Sequence, residues 1–241
     1  MTGLCDIHCH ILPGVDDGAG TMEEALSVMR EAARQQIKEI IVTPHFHPGR
    51  YKVYADQVYD SVVELRRQCR IQGIDVMLYP GQECYYYTEL ADALDRREIL
   101  TLAGSRYVLT EFDPDCPYSY LRSGLRDLQS HGYFPILAHF ERYSCLREQE
   151  HLLQIREQGI LLQMNFDMLL QKDSLFRKNP WRQMVKDGLV DYLGSDCHGM
   201  EFRPLHVYDA YRWILEHVDE EIRDRILYDN INKIIKRAKD R

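Results

Sequence analysis

Histidines and carboxylates recur in this sequence in short runs, and the runs suggest chemistry. The first is Asp6-Ile7-His8-Cys9-His10, followed by Asp16-Asp17. Then come Thr43-Pro44-His45, Gly81-Gln82-Glu83, Glu111, His139 followed by Glu141-Arg142-Tyr143, and Ser195-Asp196-Cys197-His198. His8 and His10 are spaced i, i+2, so on a strand both rings point to one face and suit two ligands of one metal. Imidazole nitrogen combined with Asp and Glu oxygen suits Zn²⁺, Mn²⁺ or Fe²⁺ rather than Ca²⁺. His8, His10, His45, His139 and His198, with Asp17, Glu83, Glu111 and Asp196, exceed what one ion needs. They suffice for two or three ions if a carboxylate such as Glu83 bridges. Clustered divalent ions generate a hydroxide nucleophile and clamp the attacking and leaving oxygens of an in-line displacement. The chemistry expected is hydrolysis, most often of a phosphoester. A single His-x-His or a lone Glu is a weak signal; the joint pattern carries the reading.

The elements that must position these residues alternate along the chain. Apolar, β-rich runs fall at 4–7, 39–43, 75–79, 107–110, 134–138, 160–164 and 190–193, with stretches of 3.6-residue apolar spacing between them. Thr21 and Glu24 form a capping box ahead of a helix whose apolar face holds Leu26, Met29 and Ala33. Strands alternating with helices imply βαβ units and a parallel sheet. About seven such units without a Gly-rich dinucleotide loop favour an α/β fold closed as a distorted, TIM-like (β/α)7 barrel. Nearly every expected strand then ends in a metal-competent residue. In such a barrel the C-terminal strand ends form one rim, so residues as far apart as 8 and 198 meet in space. Residues 219–241, with Ile222, Ile226, Ile231 and Ile235, read as a packed terminal helix.

Composition bounds the function. The chain has 241 residues, with Lys+Arg 30 against Asp+Glu 38 and a formal net charge of -8. With hydrophobic residues at 45% and charged residues at 28%, it has the material for a sizeable core and fits one domain over 1–241. No apolar run approaches the ~20 residues that span a bilayer, and no signal peptide is seen at the N-terminus. The acidic balance disfavours a nucleic-acid partner. Seven cysteines without a CxxC pair point to free thiols and a cytoplasmic location. Arg142 lies three residues after His139, Arg203 five after His198, and Arg50 in the loop after His45. Their planar forks match phosphate oxygens, and all three are expected near the rim as substrate-binding residues. Cys116 to Arg122 and Cys197 to Arg203 both satisfy C-x5-R, the spacing of thiol phosphatases. The first contains no Gly to cradle phosphate and the second contains His198, so a cysteine mechanism is set aside. Tyr85-Tyr86-Tyr87 lie where the rim should be and are expected to pack locally rather than meet an aromatic substrate.

Residues 6–19, Asp-Ile-His-Cys-His-Ile-Leu-Pro-Gly-Val-Asp-Asp-Gly-Ala, resemble the opening motif of the polymerase and histidinol phosphatase (PHP) superfamily. More narrowly, the chain resembles the bacterial PHP-type protein-tyrosine phosphatases encoded with capsule and exopolysaccharide genes. The motifs at 43–45, 81–83, 111–112, 138–143 and 194–198 match in order. The resemblance implies a PHP fold, a trinuclear centre that is usually manganese-activated, and attack of a metal-bound hydroxide on phosphotyrosine. Iron and zinc are the alternative metals. Carried over, His8, His10, Glu83 and Asp196 would hold one ion; Glu83, Glu111 and His139 a second; Asp17, His45 and His198 a third. Arg142 and Arg203 match the catalytic arginines that bind the phosphate. The implied partner is a phosphotyrosine protein, a membrane-associated bacterial tyrosine kinase. A histidinol-phosphate phosphatase and a kinase-recruiting metal-binding scaffold are the alternatives. Phe140 stands where the family commonly has Pro, and Cys197 where it commonly has Ala; neither removes a ligand. Cys9 and Cys197 place thiols near the presumed metals.

Overall fold

The seven expected strands are all present, and three short ones join them. In the computed structural model, which describes residues 4–173 and 178–239, the strands are β1 (Leu4–Cys9), β2 (Ile37–Val42), β3 (His45–His47), β4 (Tyr51–Lys52), β5 (Met77–Pro80), β6 (Glu83–Tyr85), β7 (Tyr107–Glu111), β8 (Phe134–Leu137), β9 (Leu161–Asn165) and β10 (Tyr192–Gly194). One sheet has the order β1-β2-β5, the other β10-β9-β8-β7-β6-β3-β4. Every pairing is parallel except the short β3–β4 hairpin.

The two sheets are one set of positions broken in the middle. β3 follows β2 after two residues, and β6 follows β5 after Gly81-Gln82. Gln82 fixes the second break: its amide donates to the Val53 carbonyl at 2.8 Å and its oxygen accepts from the Leu100 amide at 2.8 Å. The seven positions therefore run in chain order. First and last meet through the Asp196 amide on the His8 carbonyl (2.8 Å) and the His10 amide on the Cys197 carbonyl (2.8 Å). This is the connectivity of a distorted seven-membered α/β barrel.

Two cores follow from that arrangement. The larger lies between strands and surrounding helices and includes Leu26, Met29, Val58, Leu65, Leu121, Leu125 and Ile155. The smaller gathers Ile7, Ile41, Leu109, Ile136 and Tyr192 from five strands, with Ile231, Ile234 and Ile235 of the terminal helix Asn230–Lys239 against them. That helix follows a π turn at Arg225–Asp229, which shifts its phase and brings Ile226, Ile231 and Ile235 inward while Ile222 stays half-buried. The helix Met22–Arg34 starts where expected, with Thr21 Oγ accepting from the Glu24 amide. Its inner face uses Ala32 rather than Ala33, and the Glu24 carboxylate reaches the Gly20 amide (2.7 Å) instead of that of Thr21. No described helix is long and apolar enough to cross a membrane.

β1 carries a bulge that decides what the site receives. Asp6 pairs with Ile40 and Cys9 with Val42, so three steps on β1 oppose two on β2. Cys5 and Ile7 face the inner core, whereas Cys9 joins the outer one. The change of phase turns His8 and His10 inward together. Gly194 packs against this stretch so closely that a Cβ would stand 2.5 Å from the His8 Cβ. Gly194→Ala is expected to lower unfolding free energy by about 1–3 kcal/mol through overpacking; an unchanged urea midpoint would show that β1 yields there freely.

Candidate metal centre

Glu83 is the residue on which the site converges. It is fully buried at the start of β6. Its Oε2 lies 3.2 Å from His8 Nε2, 3.3 Å from His10 Nε2 and 3.0 Å from His45 Nδ1. His139 Nε2 approaches the other oxygen at 2.8 Å. Despite these neighbours, Oε2 has no hydrogen-bond partner of acceptable geometry. A buried carboxylate oxygen ringed by imidazole nitrogens that do not bond it is what a shared cation would resolve.

The other residues extend this nucleus on two sides. Asp196 Oδ1 lies 3.6 Å from His8 Nε2 and 3.5 Å from His10 Nε2. Glu111 stands 3.5 Å from His139 and 3.7 Å from His45. Asp17 faces His45 at 3.5 Å and His198 at 3.6 Å. All nine residues expected from the sequence thus fall into four overlapping groups: His8-His10-Asp196, His8-Glu83-His139, His45-Glu83-Glu111 and His10-Asp17-His45-His198. The overlap exceeds the expected partition, since His8, His10 and His45 each belong to two groups. His47, His151, His206 and His217 belong to none, and His131 belongs only to an exposed cluster with Asp92 and Asp95.

Strain and electrostatics mark the same spot. His139, Asp196 and Arg203 have φ of 32°, 52° and 47°, the left-handed region that non-glycine residues rarely occupy. Such strain persists only where surrounding structure over-determines it, and it clusters at functional sites. Burial pushes the Glu83 carboxyl up, but the His8 and His45 imidazoles outweigh it and hold the group well below the ordinary carboxylate range. Glu111 goes the other way, to about 7, through burial and the Glu83 charge. Burial and the neighbouring His10 pull His198 down to about 4.

The arginines close the site from outside. Arg142 Nη2 makes a short bond to Asp196 Oδ2, and Arg203 Nη1 lies 3.4 Å from the same oxygen. Arg50 is one ring removed, its guanidinium 4.9 Å over Tyr51, which in turn stacks on His45. The C-x5-R cysteines have no nucleophilic setting. Burial and the adjacent Cys145 push the Cys116 thiol up to about 12, and Cys197 is fully buried. Cys9 is equally buried, its thiol raised by burial. Of the three tyrosines, Tyr86 stacks on Phe112 and Tyr87 leans on Phe46, both as packing, while Tyr85 meets His47 at 4.2 Å.

Sequence reasoning missed the groups that hold the imidazoles. Asp16 Oδ2 accepts from His10 Nδ1 at 2.8 Å and from the His45 amide at 2.9 Å, and its pKa is held at about 2: the His10 contact overcomes the effect of burial. Gln163 Oε1 meets His8 Nδ1 at 3.0 Å and the His139 amide at 2.8 Å. Its amide goes to Asn165, whose own amide reaches Asp196 at 3.1 Å. Asp6 accepts from the Ser195 amide at 2.9 Å and hydroxyl at 2.5 Å, tying β1 to the Asp196 loop. Only a polar pair inside an apolar run, Gln163-Met164-Asn165, hinted at this layer.

Comparison with known proteins decides the family. The model of the capsular polysaccharide synthesis family CpsB/CapC matches residues 4–236. The chain belongs to the CpsB/CapC family. It is 35% identical over 214 residues to the tyrosine-protein phosphatase YwqE of Bacillus subtilis, covering 88% of this chain and 84% of YwqE. It is 29% identical over 242 residues to the tyrosine-protein phosphatase CpsB of Streptococcus agalactiae, covering 97% and 98%. A solved structure from work on YwqE and Streptococcus pneumoniae CpsB, described as unique metal-dependent tyrosine phosphatases, superposes with a TM-score of 0.86 at 31% identity, covering 97% of this chain and 95% of that one. A lactonase from Listeria monocytogenes superposes with a TM-score of 0.61 at 12% identity, a likeness of fold alone.

Within this CpsB/CapC chain, Asp16→Ala is expected to weaken Mn²⁺ binding about 10–100-fold, as loss of a carboxylate behind a ligating His does. Metal content after dialysis against graded Mn²⁺ measures it; full retention would show that Asp16 does not orient His10.

Proposed function

We propose that this single-domain chain is a metal-dependent protein-tyrosine phosphatase of capsule or exopolysaccharide regulation. The observation that carries the reading is the convergence of four imidazoles on buried Glu83, with two arginines on the neighbouring Asp196. His8, His10, Asp17, His45, Glu83, Glu111, His139, Asp196 and His198 would hold three divalent ions, Mn²⁺ before Fe or Zn. Bound there, such ions supply a water acidic enough to act as nucleophile near neutral pH and neutralise phosphoryl oxygens.

The chain's own residues do the rest. Arg142 and Arg203 each commit one nitrogen to Asp196. A guanidinium carries five donors, so the remaining N–H groups are free to fork onto phosphoryl oxygens and the charge that grows on them. Arg50 stands further out, where it draws the phosphate in. Asp16 and Gln163 hold His10 and His8 in one orientation. The phenolate of tyrosine is a good leaving group and needs no strong acid. The substrate is a phosphotyrosine protein, and the partner we favour is a membrane-associated bacterial tyrosine kinase met in the cytoplasm.

Two measurements test this. Hydrolysis of a phosphotyrosine peptide should be abolished by chelator, restored by Mn²⁺ and survive thiol alkylation; loss on alkylation, or faster turnover of histidinol phosphate, would overturn it. Arg142→Ala should lower kcat/KM roughly 10²–10³-fold with metal content unchanged, the cost typical of one transition-state donor. His139→Ala should lose metal and activity together. Metal loss in the arginine variant equal to that in the histidine variant would assign Arg142 to ligand support instead.

A further inference from the structure

We propose that the loop 199–203 is the element that recognises the aromatic ring of the substrate, with Phe202 as the specificity-determining residue and Tyr51 as a second aromatic face. The inference rests on the phosphatase reading above and concerns what lies beyond the phosphate.

Phe202 is 63% exposed, and what sets it apart from other exposed apolar side chains is its place against His198. It stands edge-on to His198, with ring centroids 6.0 Å apart at 85°. Tyr51 lies parallel to His45 at 5.6 Å and 11°. His45 and His198 are the two imidazoles that face Asp17, and their rings are 6.1 Å apart. The accessible aromatic surface therefore gathers around the Asp17 group. At His139 the aromatic neighbour is Tyr143, which is buried. An aryl group attached to a phosphate under Arg142 and Arg203 meets exposed aromatic surface on the Asp17 side.

The loop is built to hold its position. The His198 amide donates to the Arg203 carbonyl at 3.1 Å, and the Cys197 thiol to the Gly199 carbonyl at 3.4 Å. Arg203 turns the chain with its φ of 47° and lays its guanidinium 5.2 Å over the Phe202 ring. Arg50 covers Tyr51 in the same way at 4.9 Å. Each ring thus presents a polarised face beside a cation that binds phosphate, and Met200 adds an exposed apolar edge to the loop. A phenyl ring fits such a surface by offset or edge contact. A seryl phosphate is too short to cover it and leaves Phe202 in water. Discrimination built from apolar burial alone typically reaches about 10–200-fold.

The test uses the Mn²⁺-loaded full chain. For wild type, Phe202→Ala and Phe202→Trp, kcat/KM is measured on phosphotyrosine and phosphoserine peptides of one sequence. Binding of phenylphosphonate and methylphosphonate is measured by calorimetry, with metal content and Tm alongside. Phe202→Ala should lower both the tyrosine-over-serine ratio and the phenyl-over-methyl ratio about tenfold, and Phe202→Trp should keep them. If both substrates weaken equally, Phe202 only props Arg203 and the proposal falls. Unchanged ratios in Phe202→Ala, or ratios lost in Phe202→Trp, overturn it as well. A wild type that binds phenylphosphonate selectively but hydrolyses neither peptide would defeat the phosphatase reading and leave the role of the loop standing.

Discussion

A carboxylate removed from water with no good hydrogen bond on one oxygen is among the costliest things a fold can hold, and Glu83 is that group. Its isolation is tolerable only if positive charge is brought to it, and the imidazoles that bring it come from three separate strand positions. This requirement fixes much of the architecture. The break between β5 and β6 delivers Glu83 inward, the bulge in β1 turns His8 and His10 together, and His139 leaves β8 through a left-handed residue. Each irregularity would be a defect in an ideal barrel. Together they aim three rings at one oxygen of Glu83 and a fourth at the other.

The same logic explains why the layer behind the imidazoles is so complete. Asp16, Gln163, Asn165 and Asp6 link β1, β9 and the segment after β10 by hydrogen bonds of 2.5–3.1 Å. An imidazole left to rotate would present either nitrogen, and a ligand set with that freedom would spend entropy on every ion it bound. Fixing the tautomer from behind moves that cost into folding. The strain at Asp196 and Arg203 belongs to the same account: Asn165 and the two arginines converge on Asp196 Oδ2 and, with the Asp196 amide on the His8 carbonyl, hold the left-handed turn in place.

What the sequence disclosed follows from these physical distinctions. The seven strand positions were legible because buried parallel strands are apolar runs, and the nine acid and imidazole residues stood out where those runs stop. The strands β3, β4 and β6 were not legible, being two or three residues long and carrying His45 or Glu83 in place of an apolar signal. Asp16 was visible as a residue but not as a support, since nothing in Asp16-Asp17 says which carboxylate turns toward His10 Nδ1 and which toward His45. Gln163 lies in an expected strand, where a single polar residue gives no sign that it turns toward His8. Phe202 was invisible because exposure is a property of the folded loop, not of the residue type. Spacing fixes which side chains reach the rim; the bulge, the breaks and the left-handed residues decide which way they turn.

The charge of the chain acquires a different meaning once the site is in view. A formal net charge of -8 suggests a surface that repels phosphate. Yet the carboxylates of Asp16, Glu83 and Asp196 lie buried in the centre and Glu111 is half-buried beside them, so these four contribute to that total without presenting a fully solvated acidic face, and only Asp17 at the border is exposed. Two divalent ions bound there would, with Arg142 and Arg203, outweigh them, so the mouth of a loaded site would be cationic within an acidic shell. A phosphate is then drawn to one point and discouraged elsewhere. Because unpaired surface charge is screened beyond about 8 Å at physiological salt while the partly buried site is screened far less, that contrast survives in solution. Acidity outside the site works as selectivity for the one place where the sign reverses.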